Sequence, residues 1–381
     1  MVKEKKTKSK PAGRSDGSAA ASGLGVTDVA LAERLQIQAT RVICSSDMNY
    51  NTSSSLASTT LPGVDSSFKL DNFKQSVNIE VTKYENHDME FEVKGISCAM
   101  ANTLRRIMIA EIPTMAIEHV FIVNNTSIIQ DEVLAHRLGL IPLNVDPRLF
   151  DFKATDETAT ERNTIVMKLK VECKKLPDGT IENEKVYSSQ LVWLPNGSEM
   201  PEETATPAFE TSQSEMFEMM GPVHDDILIA KLRPGQAIEL ECHCIKGVGE
   251  EHAKWSPVAT TWYRLVPEVV LLEQPPLDVA KKLESELPGL ITVASGGVVE
   301  VDDARRHGNV LEKVRRMSGE PEWSPYIQLR KCKDHFIFTI ESTGAWRPHE
   351  LFKEAVDRIV SKCDKVLEGL AKFPRTSFDY K

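Results

Sequence analysis

The chain has 381 residues, of which 41% are hydrophobic and 27% charged, and its formal net charge at pH 7 is −10. This length allows two or three domains, and the negative balance argues against a protein whose main task is to bind nucleic acid phosphates. The sequence has neither an apolar run of about 18 residues nor an apolar N-terminal stretch, and its cysteines are scattered, so a membrane span, a secretory signal and a disulfide framework are not expected.

Residues 1–74 are predicted to form a largely disordered N-terminal tail. Six lysines and arginines lie between Lys3 and Arg14 against a single acid, which is typical of a nuclear import signal but also of a solvated basic tail. One short helix is predicted over 29–42, and the Ser-, Thr- and Asn-rich residues 45–67 are predicted to be a loop.

Strong periodicity begins with residues 77–93, which alternate apolar and polar side chains around a polar turn at 85–88 and therefore predict a β-hairpin. The next helix is predicted to begin at the N-cap residue Ser97 and to end before Pro113. Its apolar residues recur at spacings of three and four, so one face of the helix is expected to be apolar.

The hypothesis that this helix binds another chain rests on two adjacent arginines, Arg105 and Arg106. Successive helical side chains diverge by about 100°, so at least one arginine points away from the core and is available to bind a carboxylate or carbonyl of another chain. The predicted partner-binding residues of the helix are Asn102, Leu104, Arg105, Arg106, Ile107 and Met108.

The middle of the chain begins with a predicted strand at 116–123. A short helix follows, which Asp131 is expected to cap and Gly139 to end at its C′ position, with Pro142 just beyond.

Residues 150–325 are less regular and include an acidic loop at 199–218 and a mostly helical, polar stretch at 277–320. Further strands are predicted at 164–173, 185–194, 226–232, 237–245 and 259–270.

The run Cys242-His243-Cys244, with His252 close behind, raises the alternative of a metal site. Strand alternation places the two cysteines on one apolar face and His243 on the other, and the remaining cysteines are isolated, whereas a structural zinc site needs four ligands. We therefore interpret the cysteines as part of an apolar stripe and predict neither a metal nor another cofactor.

The loop 246–257 contains a lone G-x-G, which is too short for a phosphate-binding loop, and Glu250 and Glu251 would repel a phosphate. We interpret the loop as a turn that offers a protein contact surface. Lys254 and Trp255 are the residues predicted to contact a partner there.

The C-terminal part returns to clear patterns. Alternation at 327–329 and 336–340 predicts two strands around a turn at 331–335, followed by a helix over 348–371 with Pro348 in its first turn. An apolar seam with 4-3-4-3-4 spacing is typical either of core packing or of a helix–helix dimer contact. The seam consists of Phe352, Val356, Ile359, Cys363, Val366 and Leu370.

Four segments resemble the motifs of the alpha-like subunits of cellular DNA-dependent RNA polymerases, a family that includes bacterial alpha and archaeal D. They are Ala101–Ile107, Glu111–Ile117, Asp131–Arg137 and Gly139–Leu143, and Gly247–Val258 resembles the eukaryotic and archaeal members in particular. The resemblance spans residues 75–381.

The resemblance implies an α+β fold with two domains. A dimerisation domain would consist of residues 75–120 and 325–381, and a second α+β domain, residues 121–324, would be inserted between them. Two alpha-like chains pair through their long helices in this family, so both interface helices are expected to leave apolar surface for a smaller alpha-like partner. Arg105 and Arg106 match the arginines that face the two largest polymerase subunits.

The polymerase II relative carries zinc-binding cysteines in the inserted domain, and some archaeal relatives carry cysteines for an iron–sulfur cluster. Neither set is present here, so the chain is most similar to the alpha-like subunit shared by RNA polymerases I and III. The resemblance implies a non-catalytic assembly subunit in the nucleus (nucleolus and nucleoplasm) for rRNA, 5S rRNA and tRNA transcription. It would contact DNA only through the complex and no membrane.

Two other functions stay open when the residues are considered alone. An enzyme using Cys242, His243 or Asp302 would bind a metal or have a substrate pocket, although the chain has no G-x-S-x-G, H-E-x-x-H or P-loop motif. A protein that binds DNA directly would show a salt-dependent affinity for duplex DNA.

Overall fold

The computed structural model describes residues 29–52, 69–154, 156–204, 208–294 and 296–372. The basic run near the N-terminus and most of the predicted loop at 45–67 lie outside these residues. The helices are α1 (Val29–Thr40), α2 (Leu70–Ser76), α3 (Cys98–Ala110), α4 (Asp131–Gly139), α5 (Pro201–Thr204), α6 (Leu277–Glu286), α7 (Gly308–Met317) and α8 (Pro348–Lys372). The strands are β1 (Arg41–Cys44), β2 (Asn49–Tyr50), β3 (Asn78–Glu85), β4 (Asp88–Lys94), β5 (Pro113–Asn125), β6 (Leu143–Asn144), β7 (Thr164–Glu172), β8 (Lys174–Lys175), β9 (Ile181–Glu182), β10 (Lys185–Tyr187), β11 (Val192–Trp193), β12 (Gly221–Pro222), β13 (Leu228–Lys231), β14 (Ala237–Val248), β15 (Val258–Leu271), β16 (Ile291–Val293), β17 (Val299–Val301) and β18 (Ile327–Ser342).

Mixed helices and antiparallel sheets give the α+β fold class that the sequence predicts. The chain divides into two compact units. Of the described residues, one unit contains those up to residue 79, 93–98 and 264–337, and the other contains 80–92, 99–263 and those from residue 338 onward. These units do not follow the domain boundaries expected from the sequence, which stay a prediction.

The first unit is built around β1 and the first half of β18, which pair antiparallel from Arg41 opposite Cys332 to Cys44 opposite Leu329. Helices α6 and α7 and the hairpin of β16 and β17 share its hydrophobic core. The stretch 277–320, predicted to be polar and mostly helical, therefore contains two strands and contributes buried residues such as Leu283 and Val314.

The second unit contains a four-stranded antiparallel sheet in the order β11-β7-β14-β5. Its long central strand β14 pairs with β7 from Ala237 opposite Glu172 onward and with β5 up to Val248 opposite Pro113. Apolar side chains from these strands and from α4 form one continuous core beneath the sheet.

The hairpin of β3 and β4 belongs to the second unit from residue 80 to residue 92. Its turn at Asn86 and His87 lies where the sequence predicts it. The ring of Phe91 stacks on that of Phe338 with centroids 5.3 Å apart and meets the edge of Phe352 at 4.9 Å. These contacts attach the second turn of α8 to the sheet.

Three element predictions are wrong in detail. The expected turn at 331–335 is part of the single strand β18, because pairing with β1 keeps this polar stretch extended. The predicted strand 185–194 is interrupted by a short 3-10 helix at Ser188–Gln190. In the predicted N-terminal tail, α1 ends at Thr40 and the chain continues into β1 instead of remaining irregular.

The ends of α4 also differ from the prediction. Gln130 occupies the N-cap, and Asp131 is the first helical residue, where its carboxylate accepts a hydrogen bond from Asn125 Nδ2 (2.7 Å). Gly139 is the last helical residue and not a C′ residue. A Cβ atom there would lie 3.4 Å from the Ile117 carbonyl oxygen, an ordinary contact distance, so the packing of α4 on β5 does not itself require glycine.

Candidate partner-binding surface

Helix α3 is amphipathic, and its apolar side faces the interior of this chain. Leu104, Ile107 and Met108 are all buried. Their side chains are therefore not accessible to a partner, which corrects the expectation that they bind one. The apolar spacing was correctly interpreted as a helix face, but that face is covered within the chain.

The polar side of α3 carries the arginines. Arg105 donates from Nε (3.2 Å) and Nη2 (2.9 Å) to the side-chain oxygen of Asn102, one helical turn earlier. Among the residues that the structure describes, Arg105 pairs with no carboxylate and Arg106 forms no ion pair. Asn102 thus holds one guanidinium in a fixed direction, and neither arginine has a carboxylate partner in the part of the chain that the structure describes.

Helix α8 leaves much of its apolar face uncovered by the described residues. Its buried residues are Pro348, Leu351 and Ala355, all within the first turns. Beyond them, apolar side chains continue on the outside of the helix, and Leu367 and Leu370 are each 63% exposed.

The width of this α8 face exceeds the predicted seam. With 100° between successive residues, the apolar side chains fall within an arc of about 120°. They are Phe352, Val356, Ile359, Val360, Cys363, Val366, Leu367 and Leu370. The sequence analysis did not predict Val360 and Leu367 as part of this face. Alternating spacings of three and four select only two positions in each heptad, and these residues occupy a third position that such helices also use for apolar side chains.

The N-terminal half of α8 is held by polar contacts as well as by the packing of Phe352 on Phe91. Arg148 donates from Nη2 to Asp146 Oδ2 (2.7 Å), lies 3.5 Å from Glu350 Oε1 and stacks over Trp346 at 4.8 Å. Lys362 Nζ donates to Glu111 Oε1 (2.6 Å) just after the end of α3. The helix is therefore fixed at its start and middle while its apolar face stays open.

The loop after β14 does not present Trp255 at the surface. The indole is only 5% exposed, and its Nε1 donates to the Ile245 carbonyl oxygen (3.1 Å). A Cβ on Gly247 would lie 2.4 Å from the indole, so the glycine makes room for the ring. The predicted partner contact of the Trp255 side chain is therefore wrong, because the ring is used within the chain.

Lys254 is likewise occupied within the chain. Its Nζ donates to the Ile117 carbonyl oxygen (3.0 Å), pairs with the carboxylate of Glu118 and lies 4.4 Å from the centre of the Trp255 ring. Its charge is therefore compensated locally.

The Cys242-His243-Cys244 run lies in the centre of the four-stranded sheet. Both cysteines are buried in the core, where burial raises the pKa of their thiols. His243 is also buried and not solvent-facing, and its Nε2 lies 2.8 Å from Glu241 Oε1. No group of three or more His, Cys, Asp or Glu side chains among the described residues could hold a metal ion.

Asp302 and Asp303 lie in a charged segment just before the short 3-10 helix Ala304–His307. Asp303 accepts hydrogen bonds from the Arg305 backbone N–H (3.0 Å) and side chain, and Asp302 lies 2.9 Å from His307 Nε2. These partners hold the pKa of both carboxyl groups below their usual range. Protonated acids that could act in catalysis at neutral pH are therefore not found in this segment.

Across the described ranges, every helix is too short or too polar to cross a lipid bilayer. Within the described ranges, the two candidates for partner binding are the α8 face and the arginine side of α3.

Comparison with known proteins adds independent findings. A sequence model of the RNA polymerase Rpb3/Rpb11 dimerisation domain matches residues 90–363. The rpac1 subunit of DNA-directed RNA polymerases I and III from Dictyostelium discoideum is 41% identical over 322 residues, which cover 81% of this chain and 86% of the relative. The human subunit RPAC1 of the same polymerases is 38% identical over 329 residues, with 81% and 88% covered.

A relative with another assignment is more distant. Subunit 3 of DNA-directed RNA polymerases II, IV and V from Arabidopsis thaliana is 30% identical over 308 residues, which cover 77% of this chain and 91% of the relative. The similarity thus extends over most of each chain and is stronger to the two polymerase I and III subunits than to this one.

Proposed function

Because the chain belongs to the family of the RNA polymerase Rpb3/Rpb11 dimerisation domain, we propose that it is the alpha-like assembly subunit shared by RNA polymerases I and III. It pairs with a smaller alpha-like subunit and docks the two largest subunits for transcription of rRNA, 5S rRNA and tRNA. The identity to polymerase I and III subunits of other eukaryotes supports this assignment.

The observation that carries the proposal is the open apolar face of α8. An apolar stripe of this width is normally buried against another element, and a second amphipathic helix in antiparallel or bundle-type packing would bury it. In this arrangement α8 supplies the residues that contact the partner. The buried side chains of α3 support the interface from inside the chain; they are Leu104, Ile107 and Met108.

The two largest subunits would bind at the arginine side of α3. Guanidinium groups that lack a carboxylate in their own chain are suited to bidentate contacts with carboxylates or carbonyls of a partner. Asn102 contributes by orienting Arg105.

The proposal also assigns this chain a role, a domain division and a location in the complex. The chain itself is non-catalytic in this proposal, which the burial of Cys242, Cys244 and His243 supports. DNA is contacted only through the complex. The dimerisation domain would comprise residues 75–120 and 325–381, with the inserted domain at 121–324, and the complex would act in the nucleolus and nucleoplasm.

A charge placed on the α8 face tests the proposal. Leu367→Asp should abolish co-purification of the smaller alpha-like subunit, because a carboxylate buried without a partner costs several kcal/mol. Since Leu367 is exposed in this chain, its own fold should be unaffected, as circular dichroism of the purified variant would show.

Ser361→Asp is the matched control, because it introduces the same charge on the opposite, exposed side of the same helix. Equal recovery of the smaller subunit with Leu367→Asp and Ser361→Asp, measured by quantitative mass spectrometry of the tagged complexes, would contradict the proposal.

A further inference from the structure

The last three turns of α8 carry apolar side chains that the rest of the described chain leaves open. Val366, Leu367 and Leu370 are 61%, 63% and 63% exposed, and Cys363 on the same face is exposed as well. Neighbouring apolar side chains on a surface favour contact with any apolar group within reach, because the hydrophobic effect has no preferred direction. The nearest part of the chain that can supply such groups is the sequence that follows the helix.

Nine residues follow Lys372 in the sequence, and they read Phe-Pro-Arg-Thr-Ser-Phe-Asp-Tyr-Lys. These residues, 373–381, lie outside the described residues. Three of the nine are aromatic, compared with 6% of the whole chain. Because aromatic side chains bury a large apolar area with few rotatable bonds, this segment is well suited to cover an apolar surface.

Pro374 determines the direction in which the segment leaves α8. A proline disfavours the helical conformation in the residue before it, here Phe373, and has no N–H group to continue the helical hydrogen bonds. Proline is also favoured at the second position of a β-turn, which would here comprise residues 373–376. Such a turn reverses the chain, so the residues after it would run back along the outside of α8.

An extended strand after this turn matches the apolar face of α8 in length and in spacing. The rise per residue is about 3.3 Å in a strand and 1.5 Å in a helix. Phe378 would lie about 7 Å back along the helix, near Leu367, and Tyr380 would lie about 13 Å back, near Cys363. Since strand residues two apart point to the same side, both rings would face the helix and Asp379 would point away from it.

The charges of the segment also complement those of α8. Asp357, Asp364 and Glu368 are exposed and separated by seven and four residues, so they form an acidic row beside the apolar face. None of the three has an ion-pair partner among the described residues. The segment supplies Arg375 and Lys381 against a single acid. In the reversed arrangement, these two cations would lie within about one helical turn of Glu368 and Asp364.

We propose that residues 373–381 fold back on the last three turns of α8 in the free chain, with Phe378 and Tyr380 against its apolar face, and that the smaller alpha-like subunit displaces them. Only the displacement rests on the proposed function, because the fold-back needs no partner. The part of the apolar face around Val356 lies beyond the reach of the segment. The fold-back therefore limits self-association of the chain without preventing it.

Photo-crosslinking tests the fold-back in the full chain. Benzoylphenylalanine replaces Tyr380 in one variant and Asp379 in the matched control, whose side chain would point away from the helix. Each variant is activated as a mixture of isotopically labelled and unlabelled chains, so that mass spectrometry separates crosslinks within one molecule from crosslinks between two. Position 380 should crosslink to residues 360–370 of the same molecule, at least about threefold more than position 379 does. An excess of the smaller subunit should remove this crosslink.

A second pair of variants tests the competition with the smaller subunit. Phe378→Ser combined with Tyr380→Ser removes both rings, and Ser377→Ala is the control on the opposite side of the strand. The double variant should bind the smaller subunit about three- to tenfold more tightly than the wild type, because molecules whose face is covered cannot bind. It should also self-associate at a correspondingly lower concentration. Fluorescence anisotropy of the labelled smaller subunit measures the affinity, and circular dichroism should show unchanged helix content.

Crosslinks from position 380 to a second copy or to another part of the chain would overturn the inference, and so would equal crosslinking from positions 379 and 380. An affinity of the double variant equal to that of the wild type would overturn the displacement. If the smaller subunit bound neither the wild type nor the double variant, the proposed function would fail, whereas a crosslink within one molecule to residues 360–370 would still support the fold-back.

Discussion

The carboxylate of Glu241 is fully buried and depends on two donors, His243 Nε2 (2.8 Å) and the backbone N–H of Glu199 (3.2 Å). Burial lowers the pKa of His243, against the opposing effect of Glu241, and the positive charges of His119 and Lys153 lower it further. The folded chain therefore favours a neutral imidazole at this position.

The free energy of unfolding depends on pH because folding is linked to proton binding at His243. Because the folded-state pKa of His243 lies below the unfolded value of about 6.5, the unfolded chain binds the proton first as pH falls. His243 thus favours folding above pH 6.5, and this contribution is lost as pH falls below 6.5. His243→Gln should reduce the slope of unfolding free energy against pH below about 6.5, the unfolded value, by at most about 1.4 kcal/mol per pH unit.

Urea unfolding across this pH range measures the slope. A His243→Gln variant that keeps the wild-type slope would show that the buried imidazole does not contribute to the pH dependence.

Arg105 and Arg106 permit a second prediction about single residues. Replacing both by alanine should leave the heterodimer folded and lower its binding to the two largest subunits at least about tenfold, since charge-assisted hydrogen bonds contribute about 1.5–3 kcal/mol each. Arg105→Lys should have an intermediate effect, because lysine keeps the charge but not the planar geometry that Asn102 orients.

Co-purification of the large subunits at graded salt concentrations measures this effect. The double variant Lys174→Ala, Lys175→Ala removes two adjacent exposed charges on β8 and should not change recovery. Recovery of the arginine variants at the wild-type level would contradict a role for this side of α3.

The residues of the candidate site were predictable to different degrees. The helix and the outward direction of an arginine follow from local spacing, and both were correct. The burial of Trp255 was not predictable from its residue type, because it depends on a pocket formed by Gly247 and the Ile245 carbonyl group. The local sequence indicates which side chains could lie at a surface. It does not indicate which of these side chains are buried by distant parts of the same chain.

At the level of elements, the end of α3 is set by the loop that follows β14. The Glu250 N–H donates to the Ala110 carbonyl oxygen (2.9 Å), which satisfies one of the unpaired carbonyl groups at the helix end. A Cβ on Gly249 would lie 2.3 Å from the Ile109 carbonyl oxygen. Only glycine therefore allows this close approach.

Gly249→Ala should force this loop away from α3 and destabilise the chain by about 1–3 kcal/mol, the usual cost of overpacking. Gly308→Ala is the control, because a Cβ there has no neighbour within 4 Å, and its effect should stay within about 0.5 kcal/mol. Urea unfolding of both variants measures the difference, and equal stabilities would exclude a tight contact between loop and helix.

The elements themselves were largely predictable where periodicity is strong. Helices α3 and α8 and the hairpin of β3 and β4 lie within a few residues of their predicted positions. The exceptions depend on partners distant in sequence: β1 and β18 pair through residues such as Val42 and Lys331, and this pairing keeps a polar stretch extended that local composition indicated as a turn. Non-local pairing cannot be inferred from local patterns.

At the level of the whole molecule, the two helices expected to leave apolar surface differ in how much they leave. On α3, Leu104, Ile107 and Met108 are buried and Met100 is 40% exposed, whereas the α8 face is open along the outer turns of a 25-residue helix. A net charge of −10 favours solubility but does not cover an apolar face. The chain alone should therefore associate through α8.

This association gives a prediction for the purified chain. Multi-angle light scattering should detect oligomers when the chain is expressed alone and a single 1:1 complex when the smaller alpha-like subunit is co-expressed. Leu367→Asp combined with Leu370→Asp should shift the isolated chain toward a monomer, because both side chains are exposed and charge on them opposes apolar contact. Ser361→Asp should not have this effect. A wild-type chain that remains a stable monomer at micromolar concentration would mean that α8 needs no partner, and the assembly role would then have to rest on the arginine side of α3 alone.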